Sequence, residues 1–161
     1  MSVPKSRRNE ARTEYVWQAM LLASEVGAMC SRLPKRWAFT RTQFIIGAAN
    51  RCMEEAVRAN AIYATNEREA AIRMGHLQEA MASAYVVEAY VNQIAEDNPK
   101  RPSDAGKEYA DQRPCVTPGL LAEVCNRCTS VERLTKAVIK RDRAKWSRHK
   151  RPNIRPSRKS L

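Results

Sequence analysis

The last thirty residues of this chain contain almost no acid. Residues 132–161 hold twelve Lys or Arg but only Glu132 and Asp142 as acids, which gives +10 of the total net charge of +12. The first 131 residues hold the other 17 basic and 15 acidic groups and are therefore close to neutral. A field concentrated in this way attracts polyanions, and nucleic acid most strongly. The alternative is a solvated, partly disordered segment that only aids solubility.

Glycine, phenylalanine and long apolar runs are also scarce. Five Gly and two Phe, beside many Ala, Glu, Arg and Met, favour helices over sheet. Purely apolar runs are too short for a transmembrane helix. Residues 2–12 are charged and have no apolar segment before a cleavage motif, so the sequence predicts no secretory signal. We therefore expect a cytoplasmic protein whose five cysteines are mostly reduced thiols.

Patterns that mark metal or catalytic sites are few. Cys125 and Cys128 have a CxxC spacing, but a structural zinc site usually takes its four ligands from two such pairs, and beyond the cysteines only His76 and His149 are candidates. A thiol-redox site needs a preceding strand, whereas Cys128 fits an apolar helical stripe, which favours core packing. The sequence has no Gly-rich phosphate loop and no Glu-x-x-His pair for a di-metal bundle. It therefore predicts a protein without catalytic residues, metal or cofactor.

Four amphipathic helices are predicted, at about residues 9–33, 40–64, 66–96 and 117–150. Apolar residues recur in each at intervals of three and four, which places them on one helical face. Such helices fit an all-α fold, an antiparallel up-down four-helix bundle over residues 1–150 with a long third connection at 100–116. Residues 151–161 are a basic, proline-containing tail that is predicted to be disordered.

The first of these stripes consists of Val16, Met20, Ala23, Val26 (or Gly27), Cys30 and Leu33. The second includes Phe44 and Tyr63, and the third includes Ile72 and Tyr85. Further apolar side chains serve either an oligomer interface or a wider core, and these are Trp17, Leu22 and Tyr90.

Three helix starts carry capping signals. Thr40 with Gln43, and Asn66 with Glu69, have the form of a capping box, in which each side chain satisfies a free backbone amide. Thr117 followed by proline is typical of a helix start.

The fourth helix carries cations on two faces. Arg133, Lys136, Lys140 and Arg143 follow spacings of three, four and three, which predicts one outward basic stripe. Arg141, Lys145 and Arg148 form a second stripe beside it, and the amino end of the first helix is expected to lie near both. These cations contact backbone phosphate and read no base sequence. The predicted nucleic-acid-binding residues are Lys5, Arg7, Arg8, Arg133, Lys136, Lys140, Arg141, Arg143, Lys145, Trp146, Arg148, Lys150 and Arg151.

Trp146 is the aromatic residue within this basic segment, and two interpretations of it are open. Its indole either stacks on an unpaired base or caps the end of the bundle core.

Four short stretches, at residues 2–8, 33–40, 58–66 and 140–148, resemble a family of small bacterial four-helix bundle proteins. This family includes the products of intervening sequences in large-subunit ribosomal RNA genes. It also includes the accessory variability protein of diversity-generating retroelements. The resemblance covers roughly residues 2–149 in matching order, and the chain differs from compact members in its longer third connection and its basic tail.

This resemblance implies a homopentamer that has a basic surface and no catalytic residues. It also implies that the protein binds a reverse transcriptase and its template RNA, or an RNA–DNA hybrid, during mutagenic cDNA synthesis. A scaffold that docks an acidic protein partner, or a ribosome-associated RNA-binding bundle, are the alternatives that the charge pattern leaves open.

Overall fold

The computed structural model describes the backbone of residues 5–97 and 115–149 and the side chains of residues 13–97 and 115–147. Within this part of the chain all regular structure is helical, which confirms the predicted all-α class. The four long helices are α1 (Lys5–Cys30), α2 (Gln43–Ala61), α3 (Glu67–Asp97) and α4 (Pro118–His149). The predicted long third connection and basic tail fall mainly on residues 98–114 and 150–161, outside the described residues.

Two of the three predicted helix caps are present. The Asn66 side-chain carbonyl accepts a 2.9 Å hydrogen bond from the Glu69 amide at the start of α3. The Glu69 carboxylate in turn accepts hydrogen bonds from the amide and hydroxyl of Thr65, at 2.7 and 2.8 Å. At the start of α4, the Thr117 hydroxyl accepts the Leu120 amide at 3.3 Å. These bonds satisfy amides that have no partner within the helix.

The capping box predicted at Thr40 is wrong. A 3₁₀ turn at Lys35–Trp37 and a π-helical turn at Ala38–Thr42 lead directly into α2. Thr40 therefore lies inside a helical segment, where the Gln43 amide already donates to the Ala38 carbonyl. Since that donor has a backbone partner, no side-chain cap is needed there.

The core lies between four helices, each of which contacts two others, so that the contacts run from α1 through α2, α3 and α4 back to α1. Both α1 and α3 contact α2 and α4. In α1 the predicted Val26 and Cys30 are buried, but nearer its start Ala19 is buried in place of the predicted Met20, which is 44% exposed. The largest fully buried side chains are Tyr15, Leu22, Met29, Ile45, Leu77, Ile94, Val26, Val87, Val91, Val116, Val124 and Val131.

Several side chains predicted for the apolar stripes lie on the surface. Tyr63 is 74% exposed, because α2 ends at Ala61 and the chain leaves the helical path before it. Phe44, Ile72 and Tyr85 are 56%, 48% and 42% exposed, at the margins of the faces that α2 and α3 bury. Of the open positions, Leu22 belongs to the core while Trp17 is 54% exposed.

Polar contacts between helices fix which helix ends meet. Arg41, before α2, pairs with Asp97 at the end of α3 at 2.6 Å. Arg127 of α4 donates to Glu25 of α1 at 2.6 Å and to Gln18 at 2.7 Å. These contacts add orientation to an apolar core that would otherwise tolerate sliding. None of the described helices combines the length and the apolar character that crossing a membrane requires.

Candidate nucleic-acid interface

The distal half of α4 presents its cations to solvent. Arg133, Lys136, Lys140 and Arg143, here called the basic face, are all exposed. Val138 and Ile139 on the same stretch are 6% and 7% exposed, so packing against the core fixes the direction of the basic face. Among the described residues, Arg133, Lys140 and Arg143 have no ion-pair or hydrogen-bond partner. Their charges are therefore available to an external anion.

Glu132, one of the two acids in this segment, is neutralised by Lys136. The Lys136 ammonium contacts the Glu132 carboxylate and donates a 3.1 Å hydrogen bond to the Tyr85 hydroxyl. The hydrogen bond from Lys136 lowers the pKa of Glu132 below its usual value, and the same contact raises the pKa of Lys136. Lys136 is therefore the one member of the basic face whose charge has a partner within the described residues.

Asp142, the other acid, is neutralised from α3. Its carboxylate lies 3.0 Å from Arg73 Nε and 3.6 Å from Arg141 Nε. The Arg73 N–H is not aligned on that oxygen, so the contact is an ion pair rather than a good hydrogen bond. Arg73 also donates to the Ile62 carbonyl at 3.0 Å, which ties the α2–α3 connection to α4. With both acids paired, the segment presents only positive charge to a ligand.

A shallow groove borders the basic face on its α3 side. It has a volume of about 340 Å³ and lies between Gln78 and Met81 of α3 and the α4 residues Lys136, Ile139, Lys140 and Arg143. Its floor is apolar and its rim is cationic. This arrangement suits a sugar–phosphate backbone, since cations contact the phosphates while the floor packs against sugars.

The second predicted stripe lies at the end of the molecule where the α2–α3 connection meets α4. There Arg141 and Lys145, with Trp146, Tyr63, Ala64, Arg73 and Asp142, line a cleft of about 280 Å³, here called the end cleft. Lys145 Nζ lies 5.0 Å from the centroid of the Trp146 ring, a cation–π distance. Trp146 is partly buried and lines the end cleft.

The remaining predicted residues are described only in part. Lys5, Arg7 and Arg8 lie within α1 and Arg148 lies within α4, but only their backbone is described. Lys150 and Arg151 lie outside the described residues.

The amino-terminal part of α1 lies near the distal part of α4. Burial raises the pKa of the Tyr15 hydroxyl, and the charges of Arg73, Asp142 and Arg141 also act on it. These interactions place Tyr15 of α1 close to Arg141 and Asp142 of α4. The predicted approach of Lys5, Arg7 and Arg8 to this end concerns side chains outside the described residues.

Sequence reasoning missed Tyr63 and Arg73 as parts of the site. The sequence predicts Tyr63 on the apolar stripe of the second helix, but α2 ends at Ala61, before this residue. Arg73 has no distinctive neighbours along the sequence, and only the packing of α3 against α4 brings it to Asp142.

The CxxC cysteines belong to the protein interior rather than to a site. Cys128 is 2% exposed, and Cys125 packs against the core. Burial raises the pKa of both Cys52 and Cys128 to about 12, so these thiols stay protonated. Among the described residues, no cluster of His, Cys, Asp or Glu has the make-up of a metal site.

Comparisons with protein-family models, with curated proteins and with solved structures find no match for this chain. The resemblance of residues 2–8, 33–40, 58–66 and 140–148 to the intervening-sequence and accessory variability proteins therefore stays a prediction. What is established without it is that residues 5–97 and 115–149 have only helical regular structure and that α4 has an exposed basic face.

Proposed function

We propose that this chain is a non-catalytic nucleic-acid-binding protein that acts as an accessory subunit of a reverse transcriptase in a diversity-generating retroelement. It holds template RNA, or the RNA–DNA product, against the polymerase during mutagenic cDNA synthesis. The observation that carries nucleic-acid binding is the exposed basic face beside two acids that are already paired. The polymerase and the retroelement rest on the family resemblance alone.

The spacing of the basic face supports contact with phosphates in sequence. Its first and last cations lie ten steps apart along one helix, which is about 15 Å at 1.5 Å per step. Binding of these groups to phosphates releases condensed counterions, so affinity is expected to depend strongly on salt. Since the cations project from a helix rather than enter a groove, the contact reads charge and backbone shape.

The helices are proposed to form an antiparallel up-down bundle. Arg41 at the start of the α2 segment meets Asp97 at the end of α3, and Arg73 near the start of α3 meets Asp142 near the end of α4. The closed order of helix contacts supports the same topology. On the sequence argument alone, we place the protein in the cytoplasm.

Self-assembly into a homopentamer is also proposed, from the resemblance. A second copy is the proposed occupant of an apolar groove of about 470 Å³ between α2 and α3, lined by Phe44, Gly47, Ala48, Val86 and Tyr90. Light scattering of the purified chain tests the subunit number, and Phe44→Glu is expected to lower it. A monomer at micromolar concentration would remove this part of the proposal.

Charge reversal of the basic face tests nucleic-acid binding. The variant carries Arg133→Glu, Lys136→Glu, Lys140→Glu and Arg143→Glu, and its fold is checked by circular dichroism. With roughly six to eight phosphate contacts, wild-type affinity for RNA falls about a thousandfold between 50 and 200 mM salt. The variant is expected to bind far more weakly, with a salt slope lower by about three. Unchanged RNA affinity would show that the basic face is not the binding surface.

Co-purification with the reverse transcriptase tests the partner. The complex is expected to form with the wild-type chain and to contain RNA. A polymerase complex that survives nuclease unchanged, formed by a chain with no RNA affinity, would instead support a scaffold that docks an acidic protein surface.

A further inference from the structure

The end cleft combines features that the basic face does not have. It brings two aromatic side chains, Tyr63 and Trp146, together with three cations in a concave site of about 280 Å³. This volume is at the lower end of the range for small-ligand pockets, so the cleft suits one small planar group rather than a helix of a partner. Aromatic side chains beside cations are the surfaces on which unpaired bases stack.

Tyr63 is held in place although its ring is 74% exposed. The residue before it, Ile62, is extended (φ −84°, ψ 110°), and its carbonyl accepts the hydrogen bond from Arg73. Two residues after Tyr63, the Thr65 amide and hydroxyl donate to the Glu69 carboxylate. Because both flanks are tied to α3, the ring is presented on an ordered connection, and binding costs little loop ordering.

The charge of the cleft favours an anion despite its carboxylate. Asp142 has a side chain only 17% exposed and is paired with Arg73 and Arg141. Arg141 keeps 52% of its side chain exposed, and Lys145 lies at the rim beside Trp146. A phosphate at this rim therefore meets cations, while the carboxylate is screened behind them.

We infer that the end cleft binds an unpaired nucleotide, with its base stacked against Tyr63 and Trp146 and its phosphate on Arg141 and Lys145. The inference deepens the proposed function, on which it rests, by making single-stranded nucleic acid the preferred ligand. A base inside a duplex is already stacked on its neighbours and cannot enter the cleft, whereas the basic face accepts either form. The preference therefore arises at the end cleft alone.

Tyr63→Ala is the test variant because the exposed ring can be removed without opening the core. Phe39→Ala is the matched control, since Phe39 is an aromatic residue with 83% exposure at the other end of α2. Three probes are compared, namely a single-stranded oligouridylate of about 12 nucleotides, a strand of equal length with abasic sites, and an RNA duplex. The abasic strand keeps the phosphates and lacks only the bases.

Tyr63→Ala is expected to weaken binding of the oligouridylate about five- to a hundredfold and to leave the abasic strand and the duplex within about twofold of wild type. Tyr63→Phe, which keeps the stacking surface, restores wild-type affinity, and Phe39→Ala has no effect. Equal affinity of Tyr63→Ala and wild type for the oligouridylate, or an equal loss on all three probes, overturns the inference. The proposed function survives that result if charge reversal of the basic face still weakens all three probes. If the wild-type chain binds none of the three, both fall.

Discussion

Charged residues behave differently in the body of the molecule and on the distal half of α4. In the body, cations contact acids on neighbouring helices, as Arg127 does with Glu25 and Arg41 does with Asp97. On distal α4 both acids, Glu132 and Asp142, are already in ion pairs. The described side chains of Arg133, Lys140 and Arg143 contact no acid. These cations of the body are thus part of the fold, whereas these three cations of distal α4 are left for a ligand.

The largest contrast is expected in RNA affinity, with two matched double variants. Lys140→Glu with Arg143→Glu removes two exposed cations from the basic face. Lys35→Glu with Arg36→Glu removes two exposed cations from the 3₁₀ turn that precedes α2. The first is expected to weaken RNA binding about 20- to 100-fold near 0.1 M salt, because each phosphate that loses its contact keeps its condensed counterions. The second is expected to cost severalfold at most. Fluorescence anisotropy with a labelled RNA measures both, and equal losses would mean that net charge alone governs binding.

A smaller contrast is expected in the free energy of unfolding, where a substitution in the body has a larger effect than one on distal α4. Arg127→Met breaks four hydrogen bonds to Glu25 and Gln18 between α1 and α4 and is expected to cost about 1–2 kcal/mol of unfolding free energy after allowance for partial exposure. Arg133→Met is expected to change the unfolding free energy by less than about 0.5 kcal/mol. Urea unfolding of the two variants provides the comparison. A destabilising Arg133→Met would show that the basic face has a structural role as well.

The smallest effect is expected in the acid sensitivity of the body. Glu55 of α2 is 8% exposed, and its carboxylate lies 2.6 Å from both His76 Nδ1 and Arg58 NH1. The hydrogen bond with His76, together with Arg58, lowers the pKa of Glu55 below its ordinary 4.5 against the opposing effect of burial. The ionised form is therefore stabilised by folding. Its contribution is present above the ordinary pKa and is lost as the pH falls through the lowered one.

Glu55→Gln tests this linkage. Glu54→Gln is its control, since Glu54 is exposed and its distance to Arg58, 3.8 Å, is longer than that of Glu55. Between about pH 6 and pH 3 the wild type is expected to lose more unfolding free energy than Glu55→Gln, by about 1 kcal/mol at most. Glu54→Gln is expected to lose as much as the wild type. Urea midpoints at the two pH values measure the difference. Parallel pH profiles for wild type and Glu55→Gln would remove Glu55 from the acid response.

Local patterns predicted the helices well because helix formation depends on neighbours along the chain. Asn66 and Thr117 cap helices as predicted, since a cap needs only the residues of the first turn. The cap at Thr40 failed because the chain before it is already helical, which depends on how Pro34 starts the preceding turn. The sequence predicted the buried apolar residues less well. Helical periodicity gives the repeat of an apolar stripe but not its width, so residues at its margin can be buried or exposed.

The sequence by itself determined that the described part of this protein is helical and that seven cations, from Arg133 to Arg148, recur at short intervals along the distal half of α4. Only the tertiary structure decided which charges are left unpaired, because Arg73 and Tyr85 reach Asp142 and Lys136 through helix packing. It likewise decided that Tyr63 and Trp146, 83 residues apart, line one cleft. Periodicity fixes the face on which a side chain lies, but its neighbours across the interface depend on packing against distant residues.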